Sequence, residues 1–224
     1  MNWFSQALTS SLGRKWVMAL TGLLLIGFTV IHLSGNLLLY TGFSNYNDYA
    51  HALHSNPKFI FVAEIILLAL FLSHIFIAVN LTRANRKARS ERYAMCRSKQ
   101  DRTAATPSAV MFISGAVLLG FLLLHLSDFT FQIRHYGGPG EAPADKALRL
   151  LQDPISGIVY FVGSLALAWH LWHGFQSAFQ TFGINHPKYT PLIRGFGIVL
   201  ACVLGLGFAS FPVWAFMKKW GVLP

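Results

Sequence analysis

Five apolar stretches, each long enough to cross a lipid bilayer, restrict the fold of this chain more than any other feature of its sequence. A helix of about 20 residues spans the hydrocarbon layer. The stretches predict membrane-spanning helices at about residues 16–41, 57–82, 108–133, 155–183 and 192–217. We therefore expect an all-α membrane protein whose five transmembrane helices form one bundle, a single domain over residues 1–224. No internal repeat is expected.

The composition agrees with a membrane protein. Of the 224 residues 54% are hydrophobic and only 12% are charged, whereas a soluble domain carries about twice that share of charge. The first stretch lacks the short apolar core and small-residue end of a cleaved signal peptide, so we expect it to be retained. Cys96 and Cys202 lie in unlike surroundings and predict neither a disulfide nor a metal knuckle.

The net charge of +10 is concentrated beside the apolar stretches, most of it between the second and the third. That segment contains Arg83, Arg86, Lys87, Arg89, Arg92, Arg97, Lys99 and Arg102. Together with Arg14 and Lys15 it predicts, by the positive-inside rule, a cytoplasmic N-terminus and an external C-terminus. Lys218 and Lys219 oppose this orientation weakly. The basic segment also suits docking of a partner, and one segment can do both.

Histidines occur inside four of the five stretches, at His32, His74, His125 and the pair His170 and His173. A single histidine would be interpreted as a hydrogen-bonded packing residue. Histidines in four separate stretches make that interpretation hard to keep, since each buried imidazole costs on the order of a few kcal/mol in lipid.

The depths of these histidines form two layers. Counted at 1.5 Å per residue, His32 and His125 lie ~26 Å from the cytoplasmic face, His74 ~14 Å and His170 ~20 Å. Two histidines that face each other at one depth can bind a haem iron from both sides. No coordination position on the iron is then open, which favours electron transfer over binding of oxygen. Zinc would need three or four ligands at one depth. Spacing alone leaves His170 and His173 as alternatives.

Three segments resemble a known family: "SSLGRKWVMALTGLLLIGFTVIHLSGN", "YAHALHSNPKF" and "HLWHGFQSAFQTFGINHPKY". They are similar to the membrane cytochrome b subunit of succinate dehydrogenase and fumarate reductase, in its single-chain, five-helix, di-haem form. The likeness runs from about Ser10 to Tyr189, and the last stretch adds little to it.

The resemblance implies two haems b, one bound by His32 and His125 and the other by His74 and His170. The family's His-x-x-x-Gly pattern favours His170, which precedes Gly174. It implies a bacterial cytoplasmic membrane and two cytoplasmic partners, a flavoprotein subunit and an iron–sulfur subunit. Quinone, with menaquinone expected, would exchange electrons in the membrane.

One position departs from the family. Some fumarate reductases carry a glutamate two residues before the fourth ligand, where this chain has Ala168, so their proton route is not expected here. The chain also lacks a nucleotide-binding loop and a cysteine cluster. We therefore expect a subunit of an oxidoreductase that is not an enzyme by itself.

Two carboxyl groups are candidates for quinone or proton chemistry. Glu64 lies ten residues before His74, ~15 Å further from the cytoplasm. The alternatives for it are a protonated carboxyl in a structural hydrogen bond and a position at the level of the lipid headgroups. Asp128 lies one turn beyond His125 and also suits an interfacial position. Haem propionates could be bound by Ser11, Arg14, Lys15, Arg83 and Arg86, although the orientation signal explains the basic residues equally well.

Two other classes of function remain open. The first is a di-haem cytochrome b of another quinone-linked oxidoreductase, of the hydrogenase or formate dehydrogenase type. The second is a transporter or structural anchor whose histidines relay protons or bind metal. His51, His54, His135 and His186 are expected in loops, as solvated histidines.

Overall fold

A computed structural model describes residue 6 and residues 10–88, 108–134, 137–138 and 140–223. These residues form helices and no strands. In chain order the helices are α1 Ser11–Asn36, α2 Leu38–Thr41, α3 Phe43–His54, α4 Pro57–Lys87, α5 Ser108–Phe129, α6 Pro143–Leu151, α7 Pro154–Thr181 and α8 Thr190–Lys219. Several residues singled out in the sequence lie outside the described part: Arg89, Arg92, Cys96, Arg97, Lys99, Arg102 and His135.

The five predicted spans are confirmed. Helices long and apolar enough to cross a membrane cover Ser11–Thr41 (α1 with α2), Pro57–Lys87, Met111–Phe129, Pro154–Thr181 and Thr190–Lys219. The third ends at Phe129, four residues earlier than predicted. Gln132, with φ of 52°, lies in the left-handed region and turns the chain back, so that the polar residues after Phe129 return toward the bundle.

Local chemistry sets where the long helices begin. Asn56 and Asp153 are N-caps whose side chains accept hydrogen bonds from the backbone N–H groups of Phe59 and Ser156. Each cap is followed by a proline, Pro57 or Pro154, at the first helical position, where the missing N–H costs no intrahelical bond.

The four membrane-spanning helices that carry histidines form a ring. α1 packs along α4 and along α7, and α5 packs along α7, whereas α4 and α5 touch over a much shorter length. α1 is therefore diagonal to α5, and α4 is diagonal to α7. α8, the spanning helix without a histidine, lies mainly along α7. This order places the facing sides of α1 and α5, and of α4 and α7, toward a common interior.

Two polar connections that were expected as loops contain helices. α3 holds His51 and His54, which are exposed on it, so their prediction as loop residues is wrong. A Cβ at Gly35 would lie 2.7 Å from the ring of Tyr49. Only glycine therefore allows α3 to approach α1 so closely. The histidine beyond α7, His186, lies in a connection, as predicted.

α6 covers the end of the bundle where α5 ends and α7 begins. Its apolar residues Ala144, Ala147, Leu150 and Leu151 are buried, and their spacing of three to four residues is that of a one-sided helix. The backbone N–H of Ala144 donates to the side chain of Asn47 in α3. This helix was not predicted, because the prediction covered only spans and nine residues are too short to cross a membrane. The period of its apolar residues was the signal that could have indicated it.

Candidate functional site

His32 of α1 and His125 of α5 meet across the interior of the bundle. Their ring centroids are 5.9 Å apart and their planes are nearly perpendicular, at 86°. The two rings come from diagonal helices and were predicted at one depth from residue counts alone. The structure thus brings together the two histidines that the sequence paired.

Aromatic side chains enclose this pair. Phe28 stacks on the His32 ring and Phe208 of α8 also lies against it, at centroid distances of 5.4 and 5.7 Å. Phe121, Phe129 and Tyr160 surround His125 at 5.2–6.0 Å. Within the described residues the Nδ1 atom of His125 is buried and has no hydrogen-bond partner. A buried polar atom without a partner costs about 1–3 kcal/mol, so it indicates a site for a ligand.

His74 of α4 is held by α1. Its Nδ1 atom lies 3.1 Å from the hydroxyl oxygen of Thr21, which is buried at 5% exposure. The next residue, Gly22, brings the backbone so close that an added Cβ would lie 3.2 Å from the His74 ring. The ring is therefore fixed against the face of the neighbouring helix.

His170 of α7 is held by α5 in the same way. Its Nδ1 atom lies 3.0 Å from the buried hydroxyl of Ser114, and a Cβ at Gly115 would lie 3.4 Å from its ring. Both hydroxyls lie eleven residues before the histidine of their own helix. Their contacts therefore place His74 and His170 at one level, about three helical turns from the first pair, on the diagonal helices α4 and α7.

His173 lies differently from His170. Its ring packs against Trp169 and Trp172 of its own helix, at centroid distances of 5.7 and 6.2 Å. Trp169 and Trp172 are themselves about half exposed, at 47% and 40%, which places His173 toward the surface of the bundle. Of the two alternatives left by spacing, His170 is the one joined to α5.

Each level offers two imidazoles, and the described residues contain no group of three or more histidine, cysteine or carboxylate side chains suited to a metal ion. This donor set fits a haem, whose iron takes four nitrogens from the macrocycle and two axial ligands from the protein.

Asp128 is fully buried at the end of α5. It accepts two hydrogen bonds from Arg134, at 2.8 and 3.1 Å, and one from the hydroxyl of Tyr160, at 3.0 Å. Arg134 also donates to Ser156 at 2.9 Å. The bond to Asp128 raises the pKa of the Arg134 guanidinium. Sequence reasoning named Asp128 but missed its two partners, because Arg134 comes from the turn after α5 and Tyr160 comes from α7.

Glu64 lies exposed on α4, a helix that has no fully buried residue. Its neighbours Phe61, Ile65 and Leu68 are 64%, 50% and 53% exposed. The carboxyl therefore lies on the outer surface of the bundle, apart from the enclosed Asp128, and the two candidates do not form one site.

The propionate candidates lie together at one end of the bundle. Ser11, Arg14 and Lys15 begin α1, while Arg83 and Arg86 end α4, and the contact between Thr21 and His74 fixes the register of these two helices. Ser11, Lys15, Arg83 and Arg86 are exposed. The guanidinium of Arg86 lies 5.6 Å from the ring centroid of Phe112 in α5. This end is nearer to the His74 level than to the His32 level.

Ala168 faces α8 and not the interior of the bundle. A Cβ built on Gly205 would lie within 2.4 Å of the Ala168 methyl group, so the two helices are in close contact there. The position at which some fumarate reductases have a glutamate is therefore occupied in this chain by tight helix packing.

Comparisons with protein-family models, with curated proteins and with solved structures found no match to this chain.

Proposed function

We propose that this chain is the membrane anchor and electron-transfer subunit of a succinate dehydrogenase or quinol:fumarate reductase. In this proposal it holds two haems b and passes electrons between quinone, with menaquinone expected, and an iron–sulfur subunit. The observation that supports it most is the meeting of His32 and His125 from diagonal helices, with His74 and His170 held on the other two helices at a second level. The resemblance of the three sequence segments adds the family.

One haem would be held by His32 and His125 and the other by His74 and His170. His170 is assigned over His173 because it is joined to α5 through Ser114. When bound, each haem supplies one-electron transfer. The aromatic side chains around the first pair exclude water, which keeps the surrounding dielectric low and the ligand geometry rigid.

The polar residues have separate roles in the proposal. Ser11, Arg14, Lys15, Arg83 and Arg86 would bind the propionates nearest the His74 level and present a positive surface to the iron–sulfur and flavoprotein subunits. Glu64, on the surface of α4, would take a proton from quinol as it is oxidised at the membrane face of the bundle. The buried ion pair of Asp128 and Arg134 would hold α5 and α7 together beside His125.

Removal of single histidines tests the assignment. Changing His32 or His125 to alanine is expected to remove one haem, seen as the loss of half of the reduced b-type absorbance of the purified chain. His170→Ala is expected to remove the other haem. His173→Ala is the matched control, three residues away on the same helix, and should retain both haems.

Unchanged haem content in the His32 and His125 variants, or a wild-type chain without Soret absorbance, would refute the proposal. Equal losses in the His170 and His173 variants would refute the choice between them. Purification of the native complex distinguishes the two di-haem classes, since a flavoprotein that accompanies the chain is expected only for the succinate or fumarate enzyme.

A further inference from the structure

α1 and α5 contain the same twelve-residue pattern. Residues 21–32 are "TGLLLIGFTVIH" and residues 114–125 are "SGAVLLGFLLLH". A hydroxyl residue, two glycines, a phenylalanine and a histidine occupy identical positions in both. The expectation that the chain has no internal repeat is therefore wrong. The next spanning helix after each copy, α4 after α1 and α7 after α5, carries one of the two histidines of the second level, His74 or His170.

The contacts made by the two copies are also the same. Thr21 reaches His74 at 3.1 Å and Ser114 reaches His170 at 3.0 Å. Eleven residues, about three helical turns, separate each hydroxyl from the histidine that ends its copy, which puts the two on one face of the helix. Each copy therefore supplies a histidine at one level and a hydrogen-bonding hydroxyl at the other.

The direction of these hydrogen bonds follows from where each hydroxyl proton goes. Thr21 donates its proton to the carbonyl oxygen of Val17, at 2.7 Å, and Ser114 donates to that of Met111, at 3.1 Å. A hydroxyl has one proton, and while that proton lies on the carbonyl the oxygen can only accept from the imidazole. In this arrangement the Nδ1 atoms of His74 and His170 carry hydrogen and the Nε2 lone pair is free.

We propose that Thr21 and Ser114 are positioning residues for the second haem, a role that rests on the proposed function. Each fixes the tautomer and the orientation of one axial ligand, so that Nε2 of His74 or His170 is aimed into the interior. Gly22 and Gly115 allow the helix backbone to approach close enough for the bond. A metal-binding histidine commonly donates its other N–H in this way, which increases its basicity.

Removing the hydroxyl while keeping its shape tests the role. Thr21→Val and Ser114→Ala should weaken retention of the haem held by His74 and His170 by about 10–100-fold, the usual effect of losing such a partner. The midpoint potential of that haem should shift to more positive values, because a ligand that no longer donates its N–H stabilises ferric iron less. The haem held by His32 and His125 should keep its potential.

Matched variants separate positioning from general damage. Thr29 lies on the same helix, and among the described residues its hydroxyl bonds to the carbonyls of Leu25 and Ile26 in its own helix, at 3.1 and 2.7 Å. Thr29→Val should leave both potentials unchanged. Thr21→Ser keeps the hydroxyl and should restore the wild-type potential, which distinguishes the hydrogen bond from the volume of the side chain.

A measurement without haem completes the test. In the haem-free full chain, reconstituted in lipid nanodiscs, ¹⁵N NMR of the imidazoles should show His74 and His170 protonated at Nδ1, and Thr21→Val should lose that preference at His74. The proposal would be overturned if Thr21→Val and Ser114→Ala showed the same haem potentials and the same histidine tautomers as Thr29→Val. A wild-type chain that binds no haem would overturn the proposed function and the haem-positioning role with it, whereas Nδ1–H tautomers retained in that chain would show that the failure lies in the haem assignment and not in the hydrogen bonds.

Discussion

Replacing Asp128 with asparagine should destabilise the chain more than any other isosteric change of a carboxyl group in the described residues. The side chain is fully buried and accepts three hydrogen bonds, two from Arg134 and one from Tyr160. Asparagine keeps the shape but removes the charge and turns an N–H group toward a donor. The guanidinium then loses its counter-charge.

The expected loss is about 2–3 kcal/mol of unfolding free energy. Breaking a fully buried ion pair costs about 3–5 kcal/mol, most of it from the charge left without a partner. Here the Arg134 side chain remains 31% exposed, so water recovers part of that cost. The loss of hydrogen bonds to a charged group, each contributing about 1.5–3 kcal/mol, sets a similar scale.

Equilibrium unfolding in mixed detergent micelles, followed by far-UV circular dichroism, measures this loss. Asp48→Asn is the matched control, an exposed carboxyl on α3, and should change stability by less than about 0.5 kcal/mol. Combining Asp128→Asn with Arg134→Gln should cost less than the sum of the single changes, because the two residues share one interaction. Additive losses, or a loss under about 1 kcal/mol for Asp128→Asn, would contradict the reasoning.

Two further outcomes are expected. Glu64→Gln should impair quinol-linked turnover while haem content stays at the wild-type level, and normal quinone kinetics of the intact complex would remove Glu64 from that role. Hydrogen bonds from Arg149 lower the pKa of Glu141 from its usual 4.5, so the pair stabilises above that pH and its contribution disappears as the pH falls through the lowered pKa. Because both groups are near water, the effect should stay below about 1 kcal/mol. Arg149→Gln should abolish this pH-dependent stabilisation, which a comparison of acid unfolding of the wild-type and variant chains would show.

The sequence alone determined the five spans, because length and hydropathy are local properties that the bilayer reads directly. It also indicated which histidines share a depth. His32 and His125 could be paired by counting residues, since a helix rises by a constant amount per residue. The repeat in α1 and α5 was equally present in the printed residues, but only the matching contacts of Thr21 and Ser114 showed what it does.

Tertiary structure alone decided which atoms meet. Spacing could not separate His170 from His173, because they lie three residues apart on one helix and the choice depends on which side of it faces α5. Nor could it pair Asp128 with Arg134 and Tyr160, since that contact needs the chain reversal at Gln132 and the packing of α7. A linear pattern encodes depth along a helix axis, whereas the rotation of each helix and the direction of each hydrogen bond arise only when the helices pack against one another.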